Sequence, residues 1–581
     1  MQKKVLSTSR IVIYQLLPRL FSNYNPTNSS HGTLEENGCG KLNKITEKAL
    51  EEIRKLGATH IWFTGLLEHA TCTDYSQYGI PADNPLVVKG RAGSPYAIMD
   101  YYDIAPDLAE DIPRRMHEFE SLVERCRKTG LGVIMDFVPN HVARQYASDA
   151  RPEGVNDLGE HDNAEAAFLA SNNFYYLPGQ ELQLPPELYN LPYVKDSGVS
   201  SYHEKPAKVT GNNRLSNAPH MHDWYETVKL NYGVNYLQND ETHFYPAPDT
   251  WYKMRDILMF WAGKNIDGFR CDMAEMVPVE FWNWVIPQVK EKYPKVLFIA
   301  EIYNPPAYQE YVEKGKFDYL YDKMGLYDTL RAVVCGETPA RQISAVWKSL
   351  NGLDAHMLRF IENHDEQRIA SKQFAGDARR GIPAMAVAAL MHKGPVMVYN
   401  GQECGEPAAG ASGFSTDDGR TSIFDYCSMT QWLKWANEGK FDGALMNEQE
   451  HRIRNFYEAL LNVARDEVFS KGDFYDLMWC NPESDNFNGS AVYTFVRYLG
   501  KKAFLVVANF HKENPIRLSI QFPNDLWELM NVQQPFSVYG KDRIWDGKEF
   551  FADGTEIEQQ GLSIMCEASA AYAFELEITS D

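Results

Sequence analysis

Short apolar runs alternate with longer amphipathic stretches along the chain up to about Arg465. The runs are almost continuously apolar, which is typical of parallel strands that are covered on both faces. Some follow a helical stretch and a glycine, as His60–Phe63 follows Ile45–Leu56 and Gly57. Eight such runs can be identified: Ile11–Leu16, His60–Phe63, Gly132–Phe137, Gly268–Cys271, Leu297–Ala300, Tyr319–Tyr321, Leu358–Glu362 and Pro395–Tyr399.

Eight strand-and-helix units predict an α/β fold, a closed (β/α)₈ TIM barrel. The alternative is an open doubly wound sheet, which often carries a Gly-x-Gly-x-x-Gly turn after its first strand. No such turn follows Leu16, and candidate acidic residues occur after the fourth, fifth and seventh runs. The pattern therefore favours the barrel.

Two segments depart from this repeating pattern. Between the third and fourth runs lie about 130 residues rich in Asn, Pro, Tyr and His, far more than one helix needs. After Arg465 the pattern changes to strict alternation, as in 491–498, which is typical of an antiparallel β-sandwich. We expect a first barrel part over 1–141, a subdomain inserted after strand three over 142–245, a second barrel part over 246–465, and a C-terminal β-sandwich over 466–581.

Composition narrows the range of partners. The 581 residues are 44% apolar with a net charge of −22, and the sequence has no Lys/Arg cluster that could follow a phosphate backbone. Nucleic acid and anionic membranes are therefore excluded as expected partners. The sequence contains no run of about 18 apolar residues, so it predicts no membrane span. A neutral ligand such as a sugar suits this surface.

The cysteines and the N-terminus indicate the compartment. The nine cysteines are odd in number and form no Cys-x-x-Cys pair, so we expect free thiols in a reducing compartment. The apolar stretch after Lys3 and Lys4 is broken by the polar residues 7–10, so the apolar core and cleavage site of an export signal are missing. The expected location is the cytoplasm.

Three acidic residues follow short apolar runs: Asp272, Glu301 and Asp365. Ionised acids avoid burial unless they are paired, so acids at strand ends are seldom needed for folding. In barrels of this type the active site lies at the carboxyl ends of the strands. We therefore expect the three carboxyl groups to meet at one site.

This set of residues suits the cleavage of a glycosidic bond. One carboxyl group can attack as a nucleophile while another protonates the leaving oxygen. Arg270 lies two residues before Asp272, on the same strand face, and can hold a carboxylate ionised. His141 and His364 lie beside strand ends, where neutral imidazoles could donate hydrogen bonds to sugar hydroxyls.

Four segments, in this order, resemble the conserved regions of the α-amylase superfamily of retaining glycoside hydrolases: Asp136–His141, Gly268–Asp272, Phe298–Glu301 and Phe360–Asp365. Ser94–Tyr96 with Asp100–Tyr102, and Val398–Glu403, resemble further signatures of that family. The resemblance covers nearly the whole chain.

The resemblance implies a role for each matching residue. Asp272 matches the nucleophile, Glu301 the general acid/base with a raised pKa, and Asp365 the acid that stabilises the transition state. The remaining matches contact the sugar at the cleavage point, by hydrogen bonds or, for the tyrosine, by stacking: Tyr96, His141, Arg270 and His364.

The chain also departs from the family pattern. Many members carry Lys and His where this sequence has Glu275 and Met276, which puts strict polysaccharide α-amylase activity and a bound calcium in doubt. Asn140 matches a position that is sometimes a calcium ligand and is equally a loop-fixing residue. No metal ligands are therefore assigned, although a structural calcium is possible.

Two further groups in the inserted segment have open interpretations. His220, His222 and Asp223 have metal-like spacing, but no further ligand is obvious, which favours a hydrogen-bonded loop cluster. A set of aromatic residues could stack on sugars or form the core of the insertion, and the core is favoured: Trp224, Tyr225, Tyr232 and Tyr236.

The expected function is cleavage of α-1,4-glucosidic bonds in maltodextrins or α-glucans, with retention and without a required cofactor. The expected partner is an oligosaccharide or α-glucan substrate, and the oligomeric state is left open. Transglycosylation through the same intermediate is an alternative. A catalytically silent binding paralogue is a third reading, against which the presence of all three acids argues.

Overall fold

The computed structural model describes residues 10–408 and 417–580. The prediction about an export signal concerns Lys3 and Lys4 and lies outside these residues. All nine cysteines lie within them and none is in a disulfide, as predicted. Within the described ranges, no helix is both long enough and apolar enough to cross a lipid bilayer.

Eight parallel strands form one sheet: β1 (Val12–Leu16), β2 (His60–Phe63), β3 (Gly132–Phe137), β4 (Gly268–Cys271), β5 (Leu297–Ala300), β6 (Tyr319–Tyr321), β7 (Met357–Leu358) and β8 (Val396–Tyr399). Their order in the sheet is β7-β6-β5-β4-β3-β2-β1-β8. A parallel bridge between Arg359, which follows β7, and Val396 of β8 joins the two ends of this sheet. The predicted (β/α)₈ barrel is therefore confirmed.

Helices surround the barrel: Glu47–Leu56, Arg115–Thr129, Asp249–Gly263, Val279–Lys292, Tyr308–Glu313, Asp328–Cys335, Ile343–Ser349, Ile382–Leu390, Thr430–Ala436 and Glu448–Val463, with the shorter Pro18–Phe21, Leu34–Asn37 and Pro192–Ser197 in loops. The helix Glu47–Leu56 shows which residues begin and end such a helix. Thr46 caps its N-terminus by accepting from the amide of Ala49, and Gly57 ends it in a left-handed conformation with φ of 116°. Its apolar face is buried.

The barrel interior is a packed core with large side chains. Ile13, Trp62, Ile134, Ile299 and Tyr321 belong to one buried cluster inside the barrel. The outer faces of the strands pack with the surrounding helices into a larger cluster. Because the interior is filled, a ligand can only bind at an end of the barrel.

The segment between β3 and β4 forms short antiparallel pairs. Thr227–Lys229 pairs with His141–Ala143, directly after β3. The other two pairs are Tyr176–Leu177 with Ala207–Lys208, and Val234–Asn235 with Glu241–Thr242. An additional hairpin, Leu67–His69 with Ile98–Ile104, follows β2.

The C-terminal part is antiparallel, as predicted. A six-stranded sheet has the order β9-β10-β11-β16-β13-β14, and a two-stranded sheet of β12 and β15 packs beside it. The strands are β9 (Asp473–Asp476), β10 (Val492–Leu499), β11 (Lys502–Asn509), β12 (Ile516–Ile520), β13 (Phe536–Asp542), β14 (Glu549–Asp553), β15 (Leu562–Cys566) and β16 (Ala570–Ser580), with helices Glu467–Lys471, Asn524–Leu529 and Gly554–Gln560.

Candidate active site

Asp272 and Glu301 directly follow β4 and β5. The amide of Asp272 donates to the carbonyl of Phe137 at 2.9 Å, and the amide of Glu301 to the carbonyl of Cys271 at 3.1 Å. These bonds continue the parallel ladder by one residue. Both side chains therefore leave the barrel at the carboxyl edge of adjacent strands.

Asp365 reaches the same end of the barrel from a turn after β7. Asn363 shapes this turn, because its side-chain oxygen accepts from the amides of Asp365 at 2.9 Å and Glu366 at 3.0 Å. Asp365 is the most accessible of the three acids, with a side chain that is 31% exposed.

All three acids line one cavity of about 290 Å³. Tyr96 and His141 line it as well, whereas Arg270 and His364 lie behind the acids and are fully buried. The structure thus brings together all seven residues that the sequence singled out, in two layers. The remaining lining residues are Lys89, Ser94, Trp224, Glu226, Thr227, Met273, Tyr303, Ile423 and Phe424.

Arg270 links the two strand-end acids. One terminal nitrogen lies 2.8 Å from Asp272 Oδ1 and 3.2 Å from Asp136 Oδ1, and the other lies 2.8 Å from Glu301 Oε2. Tyr321 accepts from Arg270 Nε at 3.1 Å. Ion pairs of this kind position carboxylates firmly when they are withdrawn from water.

This group carries more negative than positive charge. Burial raises the pKa of Asp272 well above its usual range; Arg270 opposes the shift, and the charges of Glu301 and Asp136 add to it. One guanidinium cannot neutralise every carboxylate in contact with it. The excess negative charge around Arg270 therefore favours the protonated form of Asp272.

Asp365 is held ionised by its neighbours. Burial favours the neutral form, but the charge and hydrogen bond of His364, together with Arg270 and Arg420, outweigh it and lower the pKa of Asp365. His364 Nε2 lies 2.9 Å from Asp365 Oδ2 and 2.6 Å from the hydroxyl of Tyr96. Gln15 Nε2 lies 2.8 Å from His364 Nδ1, so Gln15 and Tyr96 hold the two ring nitrogens of His364 in place.

His141 is kept neutral. Burial, with the charge of Lys229, lowers the pKa of His141 to about 3. The side-chain nitrogen of Asn140 lies 3.0 Å from His141 Nδ1, and the side-chain oxygen of Asn140 accepts from the buried ammonium of Lys229. Lys229 also donates to the carbonyl of Met276 at 2.9 Å.

Glu301 has two further partners that sequence reasoning missed. The amide of Met273 donates to Glu301 Oε2 at 2.8 Å, and Tyr303 donates its hydroxyl proton to Oε1 at 2.6 Å. Met273 adopts a left-handed backbone with φ of 43°, a strained conformation for a residue with this side chain. The strain fits a position where the backbone must present an N–H group to a functional carboxyl group.

Glu275, which departs from the family pattern, fixes the segment that carries Tyr303. Its Oε2 accepts from the amides of Tyr303 and Asn304, both at 3.1 Å. The sequence shows that an acid occupies this position. It does not show the partners of Glu275, because they lie at the end of another strand.

The two uncertain groups of the insertion are resolved by their contacts. Trp224 lines the cavity, whereas Tyr225 and Tyr232 are buried, so the favoured core reading was wrong for the tryptophan. Asp223 accepts from the amide of His220 at 2.8 Å and from the side chain of Asn212 at 2.9 Å. His220 and Asp223 thus form the expected loop cluster, whereas His222 is exposed.

Comparisons with known proteins agree with this architecture. The chain is 28% identical over 328 residues to an α-1,4-glucan:maltose-1-phosphate maltosyltransferase of Cereibacter sphaeroides, covering 53% of this chain and 46% of that protein. It is 21% identical over 413 residues to neopullulanase 2 of Thermoactinomyces vulgaris, covering 68% and 57%. The chain therefore spans about half the length of these relatives.

Among solved structures, an α-amylase from Geobacillus thermoleovorans in complex with acarbose has the same fold. The TM-score is 0.60 with 17% sequence identity, and 98% of each chain is covered. The sequence model described as "Alpha amylase, catalytic domain" matches residues 15–428. Because this match covers most of the chain, from the end of β1 through β8 with the insertion included, the chain belongs to the α-amylase family.

Proposed function

We propose that the protein cleaves α-1,4-glucosidic bonds of maltodextrins with retention of configuration. Asp272 attacks the anomeric carbon and Glu301 protonates the leaving oxygen, which yields a covalent glycosyl-enzyme intermediate. Glu301 then removes a proton from water, which attacks the same carbon and frees Asp272. Asp365 binds hydroxyl groups of the sugar whose bond is broken.

The observation that carries this proposal is the contact of one guanidinium with two carboxyl groups on one cavity wall. Arg270 lies 2.8 Å from both Asp272 and Glu301. A retaining mechanism needs its two carboxyl groups close together, about 5–5.5 Å apart, whereas inverting enzymes leave room for a water.

The cavity walls support a sugar as the ligand. Tyr96, Trp224 and Phe424 offer aromatic surface, and His141 is a neutral hydrogen-bonding group. Aromatic surface with a few polar groups is typical of sites for neutral sugars. The similarity to an α-1,4-glucan:maltose-1-phosphate maltosyltransferase and to a neopullulanase supports an α-glucan substrate, including starch or glycogen fragments.

Transglycosylation is the second candidate. It uses the same intermediate, which a sugar hydroxyl resolves in place of water. Its support is the similarity to the maltosyltransferase, together with apolar side chains such as Met273 and Ile423 in the cavity lining. Apolar lining lowers the access of water to the intermediate.

The proposed chemistry needs no cofactor, and calcium at Asn140 fits poorly. The only side-chain oxygen of Asn140 accepts from Lys229, and a buried ammonium next to that oxygen disfavours a second cation. We also propose a cytoplasmic location, which the nine unpaired cysteines support.

Two measurements test this function. Anomeric NMR during hydrolysis of maltoheptaose should show the α-anomer of the product first, and the β-anomer first would contradict a covalent intermediate. Product profiles with and without added glucose then separate the two candidates. New, longer products with glucose present identify a transferase, and an unchanged profile identifies a hydrolase.

A further inference from the structure

A second group of acidic side chains lies outside the active-site cavity. Glu68, Asp103 and Asp149 each present a carboxylate oxygen, and the three oxygens lie within 4.8 Å of one another. None of the three residues lines the cavity described above. Glu68 and Asp103 are buried, and Asp149 is exposed.

The local backbone brings like charges together. Glu68 lies in the hairpin Leu67–His69 with Ile98–Ile104, directly opposite Asp100, and the strand register shifts on both sides of it. Like charges at opposed positions destabilise an antiparallel pair. Asp100 is itself satisfied, because its two oxygens accept from the amides of Tyr102 at 2.7 Å and Ala150 at 2.8 Å.

One oxygen of Glu68 is buried without a hydrogen-bond partner. Glu68 is only 5% exposed, and its Oε2 has no donor within reach among the described residues. A buried carboxylate oxygen without a partner is costly, and native proteins nearly always satisfy such an atom with a donor, a water or an ion. This observation is independent of the number of acids nearby.

Protein cations compensate only part of the charge. Arg115 pairs with Asp103, whose other oxygen accepts from the amide of Ile104 at 2.7 Å. Asp149 and Asp100 add further carboxyl groups next to Glu68. One guanidinium among these acids leaves an excess of negative charge.

We propose that Glu68, Asp103 and Asp149 bind a hard divalent cation of the calcium class. The donor set consists only of carboxylate oxygens, which suits Ca²⁺ and Mg²⁺ and not the softer transition metals. Oxygens on opposite sides of Ca²⁺ are about 5 Å apart, and around Mg²⁺ about 4 Å. Oxygens within 4.8 Å of one another fit Ca²⁺ without rearrangement. The exposure of Asp149 provides an entry route and room for water ligands.

The site would join two walls of the active-site end of the barrel. Glu68 and Asp103 belong to the hairpin that follows β2, and Tyr96 lies shortly before its second strand. Asp149 belongs to the segment after β3, which also carries His141 and Trp224. The cation therefore cross-links the loop bearing Tyr96 to the insertion.

The test uses the full chain, treated with chelator and then titrated with CaCl₂ or MgCl₂ in a calorimeter. We expect one Ca²⁺ per chain and a higher melting temperature at about 1 mM Ca²⁺, with weaker binding of Mg²⁺. Asp149→Asn should weaken Ca²⁺ binding by at least about tenfold, because it removes an exposed ligand without disturbing the core. Glu153→Gln, an exposed charge change four residues away, should bind as the parent does.

Glu68→Gln separates a cation site from a purely structural acid. In chelator this variant should melt at or above the parent temperature, since a like charge is removed, and Ca²⁺ should no longer raise it. No binding of either ion by the parent protein would overturn the proposal. Equal binding by the parent and Asp149→Asn would overturn it as well, as would a Glu68→Gln variant that still responds to Ca²⁺.

Discussion

At the scale of single residues, Arg270 contacts two chemically similar acids whose other partners differ. It holds Asp272 and Glu301 at 2.8 Å each, while Tyr303 and the amide of Met273 bind Glu301 alone. An acid with hydroxyl and amide donors aimed at it is oriented for proton transfer. Asp272 keeps an oxygen free to approach the sugar. The division of labour therefore follows from the partners of each carboxyl group.

Asp272→Asn and Glu301→Gln should each lower kcat by at least about 10³, because each step of the double displacement needs both groups. α-Glucosyl fluoride distinguishes them, since fluoride leaves without protonation. Formation of the intermediate should recover in Glu301→Gln and not in Asp272→Asn. Asp111→Asn, on the exposed surface, is the control. Near-normal turnover in either active-site variant would reject the role assigned to it.

Glu275 is expected to act by positioning Tyr303. Glu275→Gln keeps an oxygen that can accept from the amides of Tyr303 and Asn304, so activity should stay within about twofold of the parent. Glu275→Lys loses both bonds and should lower kcat by about tenfold or more, with a smaller change in KM. Steady-state kinetics measure both constants. Equal kcat and KM values in the two variants would show that the hydrogen bonds accepted by Glu275 do not determine activity.

At the scale of elements, apolar runs predicted the eight strands because parallel strands are buried on both faces. The end of β7 was less predictable: the run continues to Glu362, but the strand ends at Leu358. Arg359 still bridges to Val396, and Glu362 instead binds Arg368 at 3.0 Å and the amide of Ile369 at 2.7 Å. Side-chain partners ended the strand, and a hydrophobic pattern does not report them.

The hydrophobic pattern also does not reveal the hairpin after β2 or the outer residues of the cavity. Leu67–His69 and Ile98–Ile104 contain several acids, so their pattern does not read as a strand. Lys89 and Tyr303 reach the cavity from loops whose course depends on tertiary contacts. The acids themselves could be found because they directly follow recognisable strands or lie in a motif with a familiar order.

The pairing of Thr227–Lys229 with His141–Ala143 gives a prediction about pH. Burial lowers the pKa of Lys229 to about 7, whereas in the unfolded chain it is about 10.4. Between these values the unfolded state binds a proton that the folded state does not. Stability should therefore rise with pH over this range, by up to about 1.4 kcal/mol per unit.

Urea unfolding between pH 7 and 9 tests this contribution. In Lys229→Met, the free energy of unfolding should rise less with pH than in the parent, by up to about 1.4 kcal/mol per pH unit. The variant should be less stable overall, because Asn140 and Met276 lose a donor. Lys195→Met, an exposed lysine in the insertion, should keep the parental slope. The same slope in Lys229→Met and the parent would show that this ammonium keeps its ordinary pKa in the fold.

At the scale of the whole molecule, one buried arginine joins the C-terminal sheet to the barrel. Arg497 in β10 is fully buried and donates to the carbonyl of Leu390 at 3.1 Å, at the end of a barrel helix. It also donates to the carbonyls of Val468 at 3.0 Å and Gly472 at 2.8 Å. Cations next to the last carbonyls of a helix stabilise its C-terminus.

Arg497→Met should therefore lower the free energy of unfolding by at least about 3 kcal/mol, because several buried carbonyls lose their donor at once. Arg517→Met, exposed on β12, should change it by less than about 0.5 kcal/mol. Tryptophan fluorescence and far-UV circular dichroism during urea unfolding report on both parts of the chain. If Arg497 couples them, the two signals coincide in the parent and separate in the variant, as the C-terminal sheet unfolds first. Coincident transitions with a loss below about 1 kcal/mol would mean that apolar packing alone holds the sheet on the barrel.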